Sequence, residues 1–125
     1  MKRIIIAESD AVLASIYQRK FTKAGFEVFC VKDGEECLEL LKKELVDLII
    51  LSIKMDGMDG ITCAKKIKSD DNLKDIKIVF MTAFSDPEEI ARDKSFLKDT
   101  GALTCIKKGI DLGTFLEIVK NYTNS

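Results

Sequence analysis

Five short runs of aliphatic and β-branched residues recur along the chain, at Arg3-Ala7, Glu27-Val31, Asp47-Leu51, Lys77-Thr82 and Leu103-Ile106. Each is too short for a helix and nearly continuous in apolar character, which predicts strands covered on both faces. Between them the apolar positions change to a helical period. Leu13, Ile16, Tyr17, Lys20 and Phe21 form one stripe, and Leu112, Phe115, Leu116, Val119 and Tyr122 another. Capping residues stand at the joints. Ser9 or Asp10 can cap a first helix that Gly25 terminates, Asp33 with Glu36 begins a second, a third is expected over Asp59 to Lys68, and Asp111 starts the last. Ser85-Asp86-Pro87-Glu88-Glu89 marks the start of a fourth helix, while Ser69 to Lys74 is a polar loop.

Strand followed by helix, five times over, predicts an α/β fold. A doubly wound five-stranded parallel sheet results, with helices on both faces, because right-handed crossovers place successive helices there. One domain over residues 1–125 is expected, since the chain is of single-domain length and no linker or repeat interrupts it. In such folds the reactive groups gather at the carboxyl ends of the strands, so the residues found there are the candidates for function. They are Glu8, Ser9 and Asp10 after the first strand, Ser52 at the third, Thr82 at the fourth, and Lys107 and Lys108 at the fifth.

Composition removes several classes. Lys and Arg number 20 against 21 Asp and Glu, a net charge of -1, which argues against direct nucleic-acid binding. The apolar stretch in MKRIIIAESD is too short for a signal peptide and no later stretch could span a bilayer, so a soluble, cytoplasmic protein without membrane association is expected. Cys30, Cys37, Cys63 and Cys105 form no C-x-x-C pair and the chain has no histidine, so they are read as small buried apolar residues rather than zinc ligands. A flavin site would need a Gly-, Ser- and Thr-rich loop after the first strand, and AESDAV is not one.

The segments IIIAESD, ILSIKMDGMDG, VFMTAF and GALTCIKKG, in this spacing, resemble the signature segments of bacterial response-regulator receiver domains, the CheY-like modules of two-component signalling. The likeness covers nearly the whole chain and implies the flavodoxin-like strand order 2-1-3-4-5. It also implies that Glu8 and Ser9 occupy the positions of a Mg²⁺-binding acidic pair, Ser52 that of the phosphoacceptor aspartate, Thr82 that of the switch hydroxyl, and Lys108 that of the invariant lysine. Two of these positions depart in chemistry. Without an adjacent base a serine hydroxyl is a poor nucleophile, and Mg²⁺ prefers carboxylate oxygens, so Glu8 is left as a weak ligand at best. No catalytic residue, no resident metal and no cofactor are expected.

A contact between Lys108 and Glu8, with hydroxyl hydrogen bonds, is expected to hold the pocket together in place of a metal. Further departures from the family pattern are Asp56 and Gly109, each where a proline is common, and Cys105 at the aromatic switch position. The segment from Thr82 to Gly101 is about four residues longer than usual. The reading is a pseudo-receiver that acts by protein-protein interaction, independently of aspartate phosphorylation. The alternative is a working phosphoacceptor in which Ser52 is an engineered replacement or the target of another kinase. The family's partner surface maps here to Phe84, Phe96, Cys105, Lys107, Ile110 and Phe115, and would meet a signalling protein, an output domain or a second copy of the chain.

Overall fold

The computed structural model describes residues 1–83 and 97–124. Its elements are β1 (Arg3–Ala7), α1 (Ala11–Lys23), β2 (Glu27–Val31), α2 (Gly34–Leu41), β3 (Leu48–Ser52), α3 (Gly60–Ser69), β4 (Lys77–Thr82), β5 (Thr104–Lys107) and a C-terminal helix, Leu112–Thr123. All strand pairs are parallel and the order is β2-β1-β3-β4-β5. The chain therefore moves outward from β1 to β2 and then returns past β1 to β3. That reversal opens a crevice between β1 and β3 at their carboxyl ends.

Both faces of β1, β3 and β4 are buried, as their continuous apolar runs required, whereas the edge strand β2 has no buried residue and β5 only Ile106, contrary to the expectation that all five are covered on both faces. Ile4, Ile6, Leu48, Ile50, Val79 and Met81 point to one side, where α1 and the C-terminal helix supply Tyr17, Phe21, Phe115 and Val119. Their alternates Ile5, Ala7, Ile49, Leu51, Ile78 and Phe80 point to the other, against Cys37 and Leu41 of α2 and Cys63 and Ile67 of α3. A side-chain period of two along each strand distributes one apolar run between two cores.

Caps fix where the helices start, and hence how the site loops run. Asp10 accepts from the N–H groups of Val12 and Leu13, Asp33 from Glu36, Asp59 from Thr62 and Asp111 from Thr114. Glu36 reaches back to the N–H of Lys32, one residue before the cap, in a shifted version of the expected box. At the end of α1, Gly25 adopts φ +100° and the N–H of Phe26 returns to the Phe21 carbonyl, which closes the helix.

Several expectations are corrected. β3 and β5 each begin and end one residue later than the apolar run. Asp47 stands one position before β3, where its N–H donates to the Arg3 carbonyl and its carboxylate accepts the Arg3 N–H, and Ser52 at the other end pairs with Met81. Cys30 is exposed and Cys105 half-buried, so only Cys37 and Cys63 are core cysteines. Ile16, read as part of the buried stripe of α1, is 45% exposed. Phe115, assigned to a partner surface, is fully buried. Its ring packs edge-to-face on Tyr17 at 5.0 Å and on Phe21 at 5.2 Å, as offset aromatic quadrupoles prefer. Phe84, Phe96, the helix start at Ser85 and most of the lengthened segment lie outside the described residues.

Candidate functional site at the carboxyl edge

Glu8 is the first residue beyond β1, and its N–H still donates to the Val31 carbonyl at 3.0 Å, which turns its side chain into the crevice. There the side chain is 2% exposed. A carboxylate so buried must be paired and hydrogen-bonded to remain ionised. Three donors serve it. Lys108 Nζ lies 2.5 Å from Oε1, the Ser52 hydroxyl donates to the same oxygen at 2.8 Å, and the Asp10 N–H donates to Oε2 at 3.0 Å.

Each donor is placed by the sheet. Ser52 ends β3 beside Met81 and is fully buried. Lys108 follows β5, its N–H bonding the Thr82 carbonyl at 2.7 Å, so one more rung of the β4–β5 ladder orients its side chain across the crevice. Thr82 itself is buried at the end of β4. With one negative and one positive group, the interior of the pocket is formally neutral.

Ser9 does not turn into this pocket. Its hydroxyl donates to the Lys32 carbonyl at 2.9 Å and accepts the Asp56 N–H at 3.1 Å, joining the loops after β1, β2 and β3. Both functions of the hydroxyl are thus engaged. Asp56 is exposed, and the Asp10 carboxylate is occupied with capping α1.

Two glycines permit this geometry. A Cβ on Gly60 would stand 2.1 Å from the Ser52 carbonyl oxygen, so only glycine lets the start of α3 lie against the end of β3. Gly109 sits at φ +89°, and a Cβ added there would meet nothing within 4 Å, so backbone conformation alone selects glycine. The Gly109 backbone hydrogen-bonds the buried Tyr17 hydroxyl. Burial pushes the Tyr17 phenol up, the Gly109 bond offsets part of this, and the nearby Glu8 charge adds to the rise.

Sequence reasoning singled out Glu8, Ser52, Thr82 and Lys108, and the fold gathers all four at one edge. Ser9 is close by but serves the loops. Lys107 is exposed at the end of β5, with Cys105 and Ile110 half-buried on either side of it along the chain. Tyr17 and Gly60 were missed as parts of the site. A tyrosine rather than a phenylalanine on the buried stripe of α1 was the available signal for Tyr17; Gly60 had none beyond being glycine.

A parallel sheet of this order, with carboxylate, hydroxyls and lysine at the β1–β3 crevice, defines a class of signalling domain. The family model "Response regulator receiver domain" matches residues 4–120, and the chain belongs to that family. It is 31% identical to sporulation initiation phosphotransferase F of Bacillus subtilis over 97% of this chain and 93% of that protein. The polar-differentiation response regulator DivK of Brucella anthropi is 26% identical, over 97% and 95%. The signal receiver domain of a signal transduction histidine kinase from Syntrophus aciditrophicus superposes with a TM-score of 0.87 at 25% identity, over 98% of this chain and 90% of that one. Among the described residues no helix is long and apolar enough to cross a membrane.

Proposed function

We propose that this receiver domain is a pseudo-receiver, a protein-binding signalling module that works without aspartate phosphorylation. The carrying observation is the Glu8 Oε1 atom, which receives both Lys108 and Ser52. In the receiver family, by resemblance, the positions of Glu8 and Ser52 hold Mg²⁺, that of Ser52 accepts a phosphoryl group, and that of Lys108 carries the invariant lysine. Here they bond to one another.

Phosphoryl transfer needs an in-line nucleophile and cations placed against the transferring oxygens. The Ser52 hydroxyl points its proton at Glu8, and its lone pairs face a fully buried environment. The carboxylate beside it is already engaged by Lys108 and by the Asp10 N–H, so it is not free to take the hydroxyl proton. The same burial disfavours the alternative, a serine modified by a separate kinase, because Ser52 cannot enter another active site without breaking β3 pairing.

The donor set also does not fit Mg²⁺. A hard cation seeks several carboxylate oxygens, whereas this pocket offers one carboxylate with both oxygens engaged and a Ser9 hydroxyl committed to two loops. The partner is a signalling protein, an output domain or a second copy of the chain, met near Cys105, Lys107 and Ile110.

Titration with Mg²⁺ under calorimetry, or by amide NMR of Glu8, Ser52 and Lys108, tests the metal-free pocket. No saturation is expected up to about 1 mM, the weak end of oxygen-ligated divalent-cation sites. Saturable binding below about 1 mM that shifts these three amides would overturn it.

A further inference from the structure

Away from the carboxyl-edge pocket, two buried cysteines face each other across the α2–α3 contact. Cys37 and Cys63 are both 0% exposed and share one core cluster with Ile5, Ile49 and Phe80. Gly34 brings the helices together. A Cβ there would stand 3.1 Å from the Cys63 Cβ, and the Cys63 thiol points to the Gly34 carbonyl at 3.7 Å. Cys37 lies one turn further along α2, at the i+3 position that shares a face with Gly34. The two thiols hydrogen-bond each other. Donation from Cys37 to Cys63, reinforced by burial, pushes the Cys37 thiol far up, and the same bond holds the Cys63 thiol down.

We propose that Cys37 and Cys63 form a reversible disulfide that staples α2 to α3. Two cysteines on packed helical faces within one core cluster, with the backbone of one helix pressed against the cysteine of the other, are the starting arrangement such a bridge needs. With a peroxide as oxidant, one of the two sulfurs, deprotonated once α2 opens, displaces hydroxide from hydrogen peroxide and becomes a sulfenic acid. The other sulfur then attacks it and water leaves. Two thiols and one peroxide thus give one disulfide and two waters, and a dithiol reductant reverses the step by exchange. Because both sulfurs are buried, reaction proceeds through local opening of α2, an eight-residue helix whose outer residues Glu35, Glu36 and Glu39 are exposed.

The bridged segment contains all of β3 and the loop after it, including Ser52 and the Asp56 N–H that meets Ser9. Oxidation therefore restrains the carboxyl-edge loops without touching the pocket residues.

The test uses the native chain, since truncating a buried cysteine could unfold it. Folded protein is treated with hydrogen peroxide, quenched with an alkylating agent in denaturant, and mapped by peptide mass. The expected product has lost two hydrogens, carries a Cys37–Cys63 cross-link, leaves Cys30 and Cys105 unlinked to either, and melts on the order of 10 °C higher until a dithiol is added. Cys37 and Cys63 both recovered as alkylated thiols, or a cross-link that appears only when oxidation is done in urea, would overturn the proposal. So would pairing of either residue with Cys30 or Cys105.

Discussion

Replacing Lys108 by methionine isolates the interaction on which the pocket depends. The substitution keeps the length and apolar stem of the side chain but removes the ammonium 2.5 Å from Glu8, whose side chain is only 2% exposed. Removing one member of a buried ion pair costs about 3–5 kcal/mol, mainly because the remaining charge stays desolvated. The lower end applies here. Lys108 keeps 20% of its side-chain exposure, so water can follow the lost amine, and the Ser52 hydroxyl and Asp10 N–H still serve the carboxylate. A loss of about 3 kcal/mol is predicted, equivalent to roughly 10 °C in melting temperature for a domain of this size. Urea unfolding followed by circular dichroism measures it, with an unchanged m-value as the check that the unfolding transition is the same. Glu8→Gln and the double variant complete a thermodynamic cycle, and the double variant should be less destabilised than the sum of the singles by about 1.5 kcal/mol or more. A Lys108→Met protein within about 0.5 kcal/mol of the parent, with coupling near zero, would show that the pair does not hold the pocket together.

Restoring a proline after the lysine should harm this protein. Proline fixes φ near about -65°, against +89° at Gly109, so Gly109→Pro should cost more than about 2 kcal/mol in urea unfolding, while Gly109→Ala, with open space around it, should cost about 1 kcal/mol. Phe115→Ala should lose about 3–5 kcal/mol by leaving a cavity against Tyr17 and Phe21, the cost of a core aromatic and not of a surface contact; a change below about 1 kcal/mol would refute its burial. The raised Tyr17 phenol gives a pH prediction. The unfolded chain releases this proton first, near its ordinary value of 10.0, so Tyr17 stabilises fully below that pH and its contribution declines as pH rises through the higher folded value. Urea midpoints from about pH 8 to about pH 11 should show this fall, and Tyr17→Phe should flatten it; an unchanged slope in the variant would contradict the assignment.

Much of the fold was legible because the decisive signals are local. β1, β2 and β4 begin and end where the apolar runs do, the predicted caps Asp33 and Asp111 are used, Asp10 is the one used of Ser9 and Asp10, and Asp59, expected to open α3, caps it instead. The errors arose where a tertiary partner decides. Asp47 holds Arg3 through both its N–H and its carboxylate at the foot of β3, and Phe115 turns inward because two aromatic rings from α1 wait for it. Neither partner is near in sequence. Within the site, Glu8 and Lys108 could be matched because each directly follows a strand, and strand ends converge in a parallel sheet. The course of the Ser9 hydroxyl could not, since it depends on Lys32 and Asp56 from two other loops. The pairing of Cys37 with Cys63 was equally hidden, because the cysteines are separated by a whole strand and meet only when α2 and α3 share a face of the sheet.

The most direct test of phosphorylation independence is to incubate the folded domain with Mg²⁺ and acetyl phosphate and follow its intact mass, with an aspartate-bearing receiver as positive control. The control should gain a phosphoryl group while this chain remains at its unmodified mass. An acid-labile, hydroxylamine-sensitive adduct would mean that a carboxylate such as Asp56 or Asp10 has taken over, and an acid-stable one on Ser52 would mean that the buried hydroxyl is a working acceptor. Either adduct would show that the domain still accepts phosphoryl groups and is no pseudo-receiver.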